Sequence, residues 1–123
     1  METKPRINFM FRAAILAGLA VLAGGCAAPT IYSWGNYEDL VYVSYSRPDK
    51  ATPELQVAQM EADYRKARSA NKPVPPGFHA HLGYLYYRLG KLDQAQQEFQ
   101  REKALFPESA VFMDRLLANL KKS

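Results

Sequence analysis

Along the second half of the chain, apolar positions return at three- and four-residue spacing, broken by short polar or proline-bearing stretches. Phe78, Leu82, Leu85, Tyr86 and Leu89 recur in this way, as do Leu92, Ala95, Phe99 and Phe106. Such spacing places the apolar groups on one face and predicts two amphipathic helices. Gly90 is the expected stop of the first, because a left-handed cap has no steric cost there, and Pro107 closes the second. The pair should fold back as a helical hairpin through Leu89-Gly90-Lys91-Leu92. Small Gly83 and Ala95 fall where the two axes come close.

The flanks extend the same pattern. Thr52 is an N-cap, with Pro53 at the first helical position and Glu54 in the first turn. The helix they open runs to about Ala70, presents Val57, Met60, Tyr64 and Ala67 on one side, and carries Lys66 and Arg68 where the dipole favours cations. The run from Asn71 to Gly77, with three prolines, is a stiff connector. Beyond Pro107, Glu108 and Ser109 open a last helix bearing Val111, Phe112, Leu116, Leu117 and Leu120. Residues 36–46 are ambiguous, since their alternation and β-branched content also fit a strand. A lone strand would leave its backbone groups unpaired. A helix is therefore expected, with Asn36 as N-cap and Tyr37, Leu40, Val41 and Tyr45 on one face. The resulting fold class is all-α, with five helices: an irregular pair, the regular hairpin and a C-terminal capping helix.

The first 25 residues have a different character. A basic region, METKPRINFMFR, precedes an apolar run, AAILAGLAVLAG, that is short for a bilayer span and suits the core of a signal peptide. It ends in Leu22-Ala23-Gly24-Gly25-Cys26, small residues ahead of the only cysteine. This resembles the bacterial lipobox, although Ala23 stands where that family favours leucine and Leu22 lies one place further back. The resemblance implies lipidation of Cys26 by acyl chains such as palmitate. The alternatives are ordinary secretory cleavage with a free thiol, or an uncleaved anchor. The chain then divides into a signal peptide (1–25), a short lipidated tether (26–35) and a helical domain (36–123). Ala27 after the cysteine fits sorting to the outer membrane, facing the periplasm. Trp34, between Tyr32 and Tyr37, either contacts the interface or a partner, or caps the open end of the helical stack; capping is the reading adopted.

Charge alters the picture little. The net charge is +4, but Lys4, Arg6 and Arg12 against Glu2 place half of it in the signal region. The remaining cations are interspersed with acids, which gives no stripe for nucleic acid. A single cysteine forms no intramolecular disulfide, and no cofactor or metal is expected. His79 and His81, two positions apart on a helix, point different ways and lack a partner at i+4. Glu98 and Glu102 share a helix face beside Arg101 and Lys103 and read as a solvated charged surface. No phosphate-binding glycine loop or nucleophile elbow occurs, so a non-enzymatic protein is expected.

Two further resemblances follow from these residues. Leu82, Gly83, Tyr86, Ala95, Phe99 and Pro107 stand at the spacing of the tetratricopeptide (TPR) signature, with His79 and Glu102 departing from it. The hairpin is thus TPR-like, and the resemblance implies that Ala80, Tyr84, Tyr87 and Arg88 line a concave, partner-binding face. Tyrosine and arginine are hot-spot residue types. YSWGNYEDLVY, PPGFHAHLGYLYYRLG and REKALFPESAVFMDRLL resemble the DUF4810 family of small bacterial lipoproteins. That resemblance implies an envelope assembly with a curli-secretion-channel-like (CsgG-like) lipoprotein and another small lipoprotein. The expected function is a TPR-like interaction domain on an outer-membrane lipoprotein; the alternatives are an oligomerising structural subunit or an accessory regulator of cell-wall synthesis.

Overall fold

The computed structural model describes residues 29–122, so the signal region, Cys26 and Ser123 lie outside the described residues. Within them the fold is all-α: α1 (Tyr37–Ser46), α2 (Pro53–Ser69), α3 (Phe78–Arg88), α4 (Leu92–Leu105) and α5 (Ala110–Leu120). A single 3-10 turn, Pro107–Ser109, separates α4 from α5. Residues 36–46, which could have been a strand, form a helix.

Local chemistry sets the helix ends. Thr52 Oγ1 accepts from the Leu55 N–H at 3.4 Å, and Pro53 occupies the first position of α2. At the end of α3, Gly90 adopts φ +70°, its N–H donates to the Tyr87 carbonyl, and the Lys91 N–H donates to the Tyr86 carbonyl. This is a Schellman arrangement, which satisfies carbonyls the helix itself cannot. Asn71, read from the sequence as plain connector, does the same for α2. Its φ is +51°, and the N–H groups of Asn71 and Lys72 donate to Arg68 and Ala67.

Helices α3 and α4 form an antiparallel hairpin. Gly77, His79 and Gly83 meet Glu102, Glu98 and the Ala95 carbonyl in turn, one chain ascending as the other descends. Helix α2 packs on α3, and α5 covers α4. The core between them holds Met60, Phe78, Leu82, Leu85, Tyr86, Ala95, Phe99 and Met113. Gly83 has no room for a side chain, because a Cβ there would lie 2.7 Å from the Phe99 ring and 3.2 Å from the Ala95 carbonyl oxygen. Gly83→Ala gains up to about 1 kcal/mol of helix propensity. Overpacking of about 1–3 kcal/mol should exceed that gain. The urea midpoint should therefore fall; a midpoint at or above the parent value would mean that the ring yields.

Four expectations need correction. Tyr45, expected on the same face as Tyr37 and Leu40, is 85% exposed; Tyr37 and Leu40 do pack on the core, and Val41 is half-buried. Asn36 stands at the N-cap of α1, yet its side chain makes no cap bond and instead donates to Asp63. On α5 the buried residue is Met113, whereas Val111 and Phe112 are 68% and 58% exposed. The 3-10 turn rotates the start of α5, so the inward stripe becomes Met113, Leu116, Leu117 and Leu120.

The fourth correction concerns Glu98 and Glu102, which are 7% and 2% exposed and form no solvated surface. Burying a carboxylate is costly unless it is hydrogen-bonded, and both are. From Tyr32 onward the chain ahead of α1 is docked on the body. The Ser33 N–H donates to the Pro73 carbonyl at 2.8 Å, Tyr32 meets Phe106 edge-on, and Trp34 stacks on Tyr37.

Candidate functional site

The exposed side of α3 carries Tyr84, Tyr87 and Arg88, the two rings 48% and 43% exposed. Their neighbours Leu82, Leu85 and Tyr86 are buried, so the helix is pinned by one face and presents the other. Tyr84 forms a ridge between two clefts. On one side it joins Arg88, Ser44, Tyr45, Gln56 and His81. On the other it joins Tyr87, Phe99, Leu116 and Leu120. Of the residues expected to bind a partner, three therefore share one surface. Ala80 lines neither cleft; it is half-buried, and its N–H donates to Glu102 at 3.3 Å.

A buried polar layer sets the position of this face. The carboxylate of Glu102 accepts from the N–H groups of Gly77 at 2.6 Å and Ala80 at 3.3 Å. Gly77, the N-cap of α3, has no side chain of its own to do this. The acid on α4 thus caps α3 from across the hairpin and meets the positive end of its dipole. Glu98 lies 2.6 Å from His79 Nδ1 and accepts from Arg101 at 2.9 Å. The His79 imidazole is 1% exposed and stands edge-on to Tyr64 and Phe78. Its environment is a packed polar core.

Two further ties join α3 to α2. The Tyr86 hydroxyl donates to the Glu61 carboxylate. Burial first, and that carboxylate second, push the Tyr86 phenol well above its usual range, so it stays protonated and keeps donating. Tyr37, wedged against Phe78 and His81, is likewise raised by burial and then by Glu102. On the other tie, Gln56 Nε2 donates to the Ala51 carbonyl at 2.7 Å, which turns its Oε1 toward His81 Nε2 at 3.2 Å. The proton of neutral His81 therefore sits on Nε2.

Asp63 escaped the sequence reading altogether. It is 4% exposed and accepts from Asn36 N at 2.8 Å and Asn36 Nδ2 at 3.2 Å. The contact spans 27 positions, and no local spacing signals it. Glu98 and Glu102 were seen, but as surface. Their only signal was sitting at helical spacing with the apolar Ala95 and Phe99. Among the described residues no group of three His, Cys, Asp or Glu side chains could hold a metal ion.

The family model described as Domain of unknown function (DUF4810) matches residues 31–116. The chain belongs to that family. No curated protein and no solved structure matches it significantly. The DUF4810 match takes in the docked segment ahead of α1, the whole of α1 to α4 and the exposed tyrosines of α3. It begins at Ile31, beside Tyr32, which packs against Phe106 of the body.

One pH effect follows from this part of the DUF4810 fold. Desolvation lowers the His81 pKa from its ordinary 6.5, so the folded state favours the neutral ring. The stability tied to this ring is complete above about pH 6.5 and is lost as pH falls through that value toward the lower folded one. His81→Gln keeps a donor for Gln56 without a titrating ring, while leaving His79 in place. The fall in melting temperature from pH 7 to pH 5 should be shallower in His81→Gln than in the parent; equal slopes would remove His81 as a cause.

Proposed function

We propose that this protein is a non-enzymatic lipoprotein whose helical body binds another envelope protein through the exposed face of α3. The observation that carries the reading is the joint exposure of Tyr84, Tyr87 and Arg88 on a helix held rigid from behind. Aromatic rings with a fixed cation are the side chains that most often dominate binding energy. They border two clefts into which a partner's side chains could insert. The hairpin's TPR-like residues support use of this helix as the binding surface, since such repeats commonly present their first helix.

The lipobox-like Leu22–Cys26 supports an acyl anchor on Cys26, with Ala27 favouring the outer membrane and a periplasm-facing body. The company implied for such a lipoprotein is a CsgG-like lipoprotein and a small neighbouring one. The test is affinity capture from detergent-solubilised membranes with parent protein and with Tyr84→Ala plus Arg88→Ala. A partner held by the parent should be lost from the double variant while its circular dichroism stays helical. Retention of every partner would refute the face.

A second reading, self-association, has one observation in its favour: Val111 and Phe112 on α5 are exposed, at 68% and 58%. Native mass spectrometry separates the two, because a strict monomer at micromolar concentration contradicts assembly through α5.

A further inference from the structure

On the side where the chain enters the body, α2, α4 and the docked segment enclose a second groove. Its floor includes Tyr32 and Phe106, and its rim carries Arg68, Lys72 and Leu105. Leu105 is 57% exposed although it is a large aliphatic group, and both cations are exposed beside it. This is apolar surface rimmed by positive charge; α3 contributes only the buried His79 to its lining, and Tyr84, Tyr87 and Arg88 lie elsewhere.

We infer that this groove is the surface the body lays against anionic phospholipid, a proposal that rests on the reading of Cys26 as the acylated anchor. Chain length argues for it. Tyr32 is six positions after Cys26, so its Cα stays within about 20 Å of the anchored residue even at full extension. Tyr32 is itself part of the groove and is fixed by its edge-on contact with Phe106 at 6.3 Å. The next residue is fixed too, through Ser33 N–H and the Pro73 carbonyl, and Pro73 lines the same groove. An anchor so short, attached at the groove's edge, holds this side toward the bilayer.

Charge complementarity supplies the second argument. Arg68, in the last turn of α2, and Lys72, just past its end, are exposed, and Lys66 also adds positive charge there. Basic residues close to an anionic surface are attracted within a Debye length, about 8–10 Å. In the same groove, exposed Leu105 is placed to enter the headgroup region, as apolar side chains do at interfaces. The occupant that fits is phospholipid bearing net negative charge.

The test uses the full acylated chain reconstituted in vesicles with and without phosphatidylglycerol. The intact mass is read first on the same sample. With Cys26 acylated, Leu105→Cys gives a single free thiol for an environment-sensitive fluorophore, and Gln94→Cys gives the control. Gln94 is exposed and lies eleven residues back along α4, about 16 Å from position 105. Brominated acyl chains should quench the label at 105 at least about threefold more than the label at 94. That difference should shrink in purely zwitterionic vesicles and with Arg68→Glu plus Lys72→Glu. Equal quenching at the two sites, or no response to charge reversal in a variant that remains helical, overturns the proposal while leaving the anchor standing. An unacylated Cys26 overturns both.

Discussion

Phe78→Ala is expected to lower the unfolding free energy by about 3–5 kcal/mol, the cost of deleting a fully enclosed ring. The residue is 0% exposed and opens α3. Its ring meets Tyr37 of α1 at 5.6 Å and Tyr64 of α2 at 6.3 Å, so three helices converge on one side chain. Tyr37 in turn stacks on Trp34 and meets His81, which makes Phe78 the support for α1 and for the docked segment ahead of it. A small domain has only about 5–15 kcal/mol to lose. Urea unfolding followed by circular dichroism should therefore show a sharply lower midpoint, and fluorescence a Trp34 emission shift toward water. A loss under about 1.5 kcal/mol would mean that the neighbouring side chains collapse into the space.

Glu102→Ala should cost about 2–4 kcal/mol, as the sum of two unpaired, partly buried N–H groups and a lost anion at a helix N-terminus. The direction is informative, because the TPR signature that the hairpin resembles has alanine at this position. Moving closer to that signature should harm this protein. Its own carboxylate caps Gly77 and Ala80, a pairing that alanine cannot make. Glu102→Gln separates shape from charge. It keeps one acceptor but turns an NH2 donor toward an N–H donor, and should fall between parent and alanine variant. If Glu102→Ala equals or exceeds the parent in urea midpoint, the cross-hairpin cap contributes nothing.

The sequence carried the helices and the hairpin well, because they are written in local spacing. Phe78 through Leu89 repeat at helical period, Gly90 and Pro107 punctuate, and Gly83 reserves room for Phe99. The exposed trio of Tyr84, Tyr87 and Arg88 was legible for the same reason: once the buried stripe of α3 is known, the opposite face follows. Side chains that answer to distant partners were not legible. Glu102 is an ordinary surface acid in its own helix and becomes a cap only when α3 arrives beside it. Asp63 gains its meaning from Asn36, 27 positions away. Helical spacing groups Tyr45 with Tyr37 and Leu40, and Val111 and Phe112 stand among the apolar residues of the last helix, yet the short first helix and the 3-10 turn before α5 leave all three in solvent.

The proposed binding role of α3 is most directly tested in living cells, with a photoreactive residue replacing Tyr87 and, separately, the exposed Gln96 of α4. Irradiation should yield one discrete adduct from position 87, abolished by Arg88→Ala, and none from position 96. No adduct at 87, or the same adducts from both positions, would contradict a partner-binding face on α3.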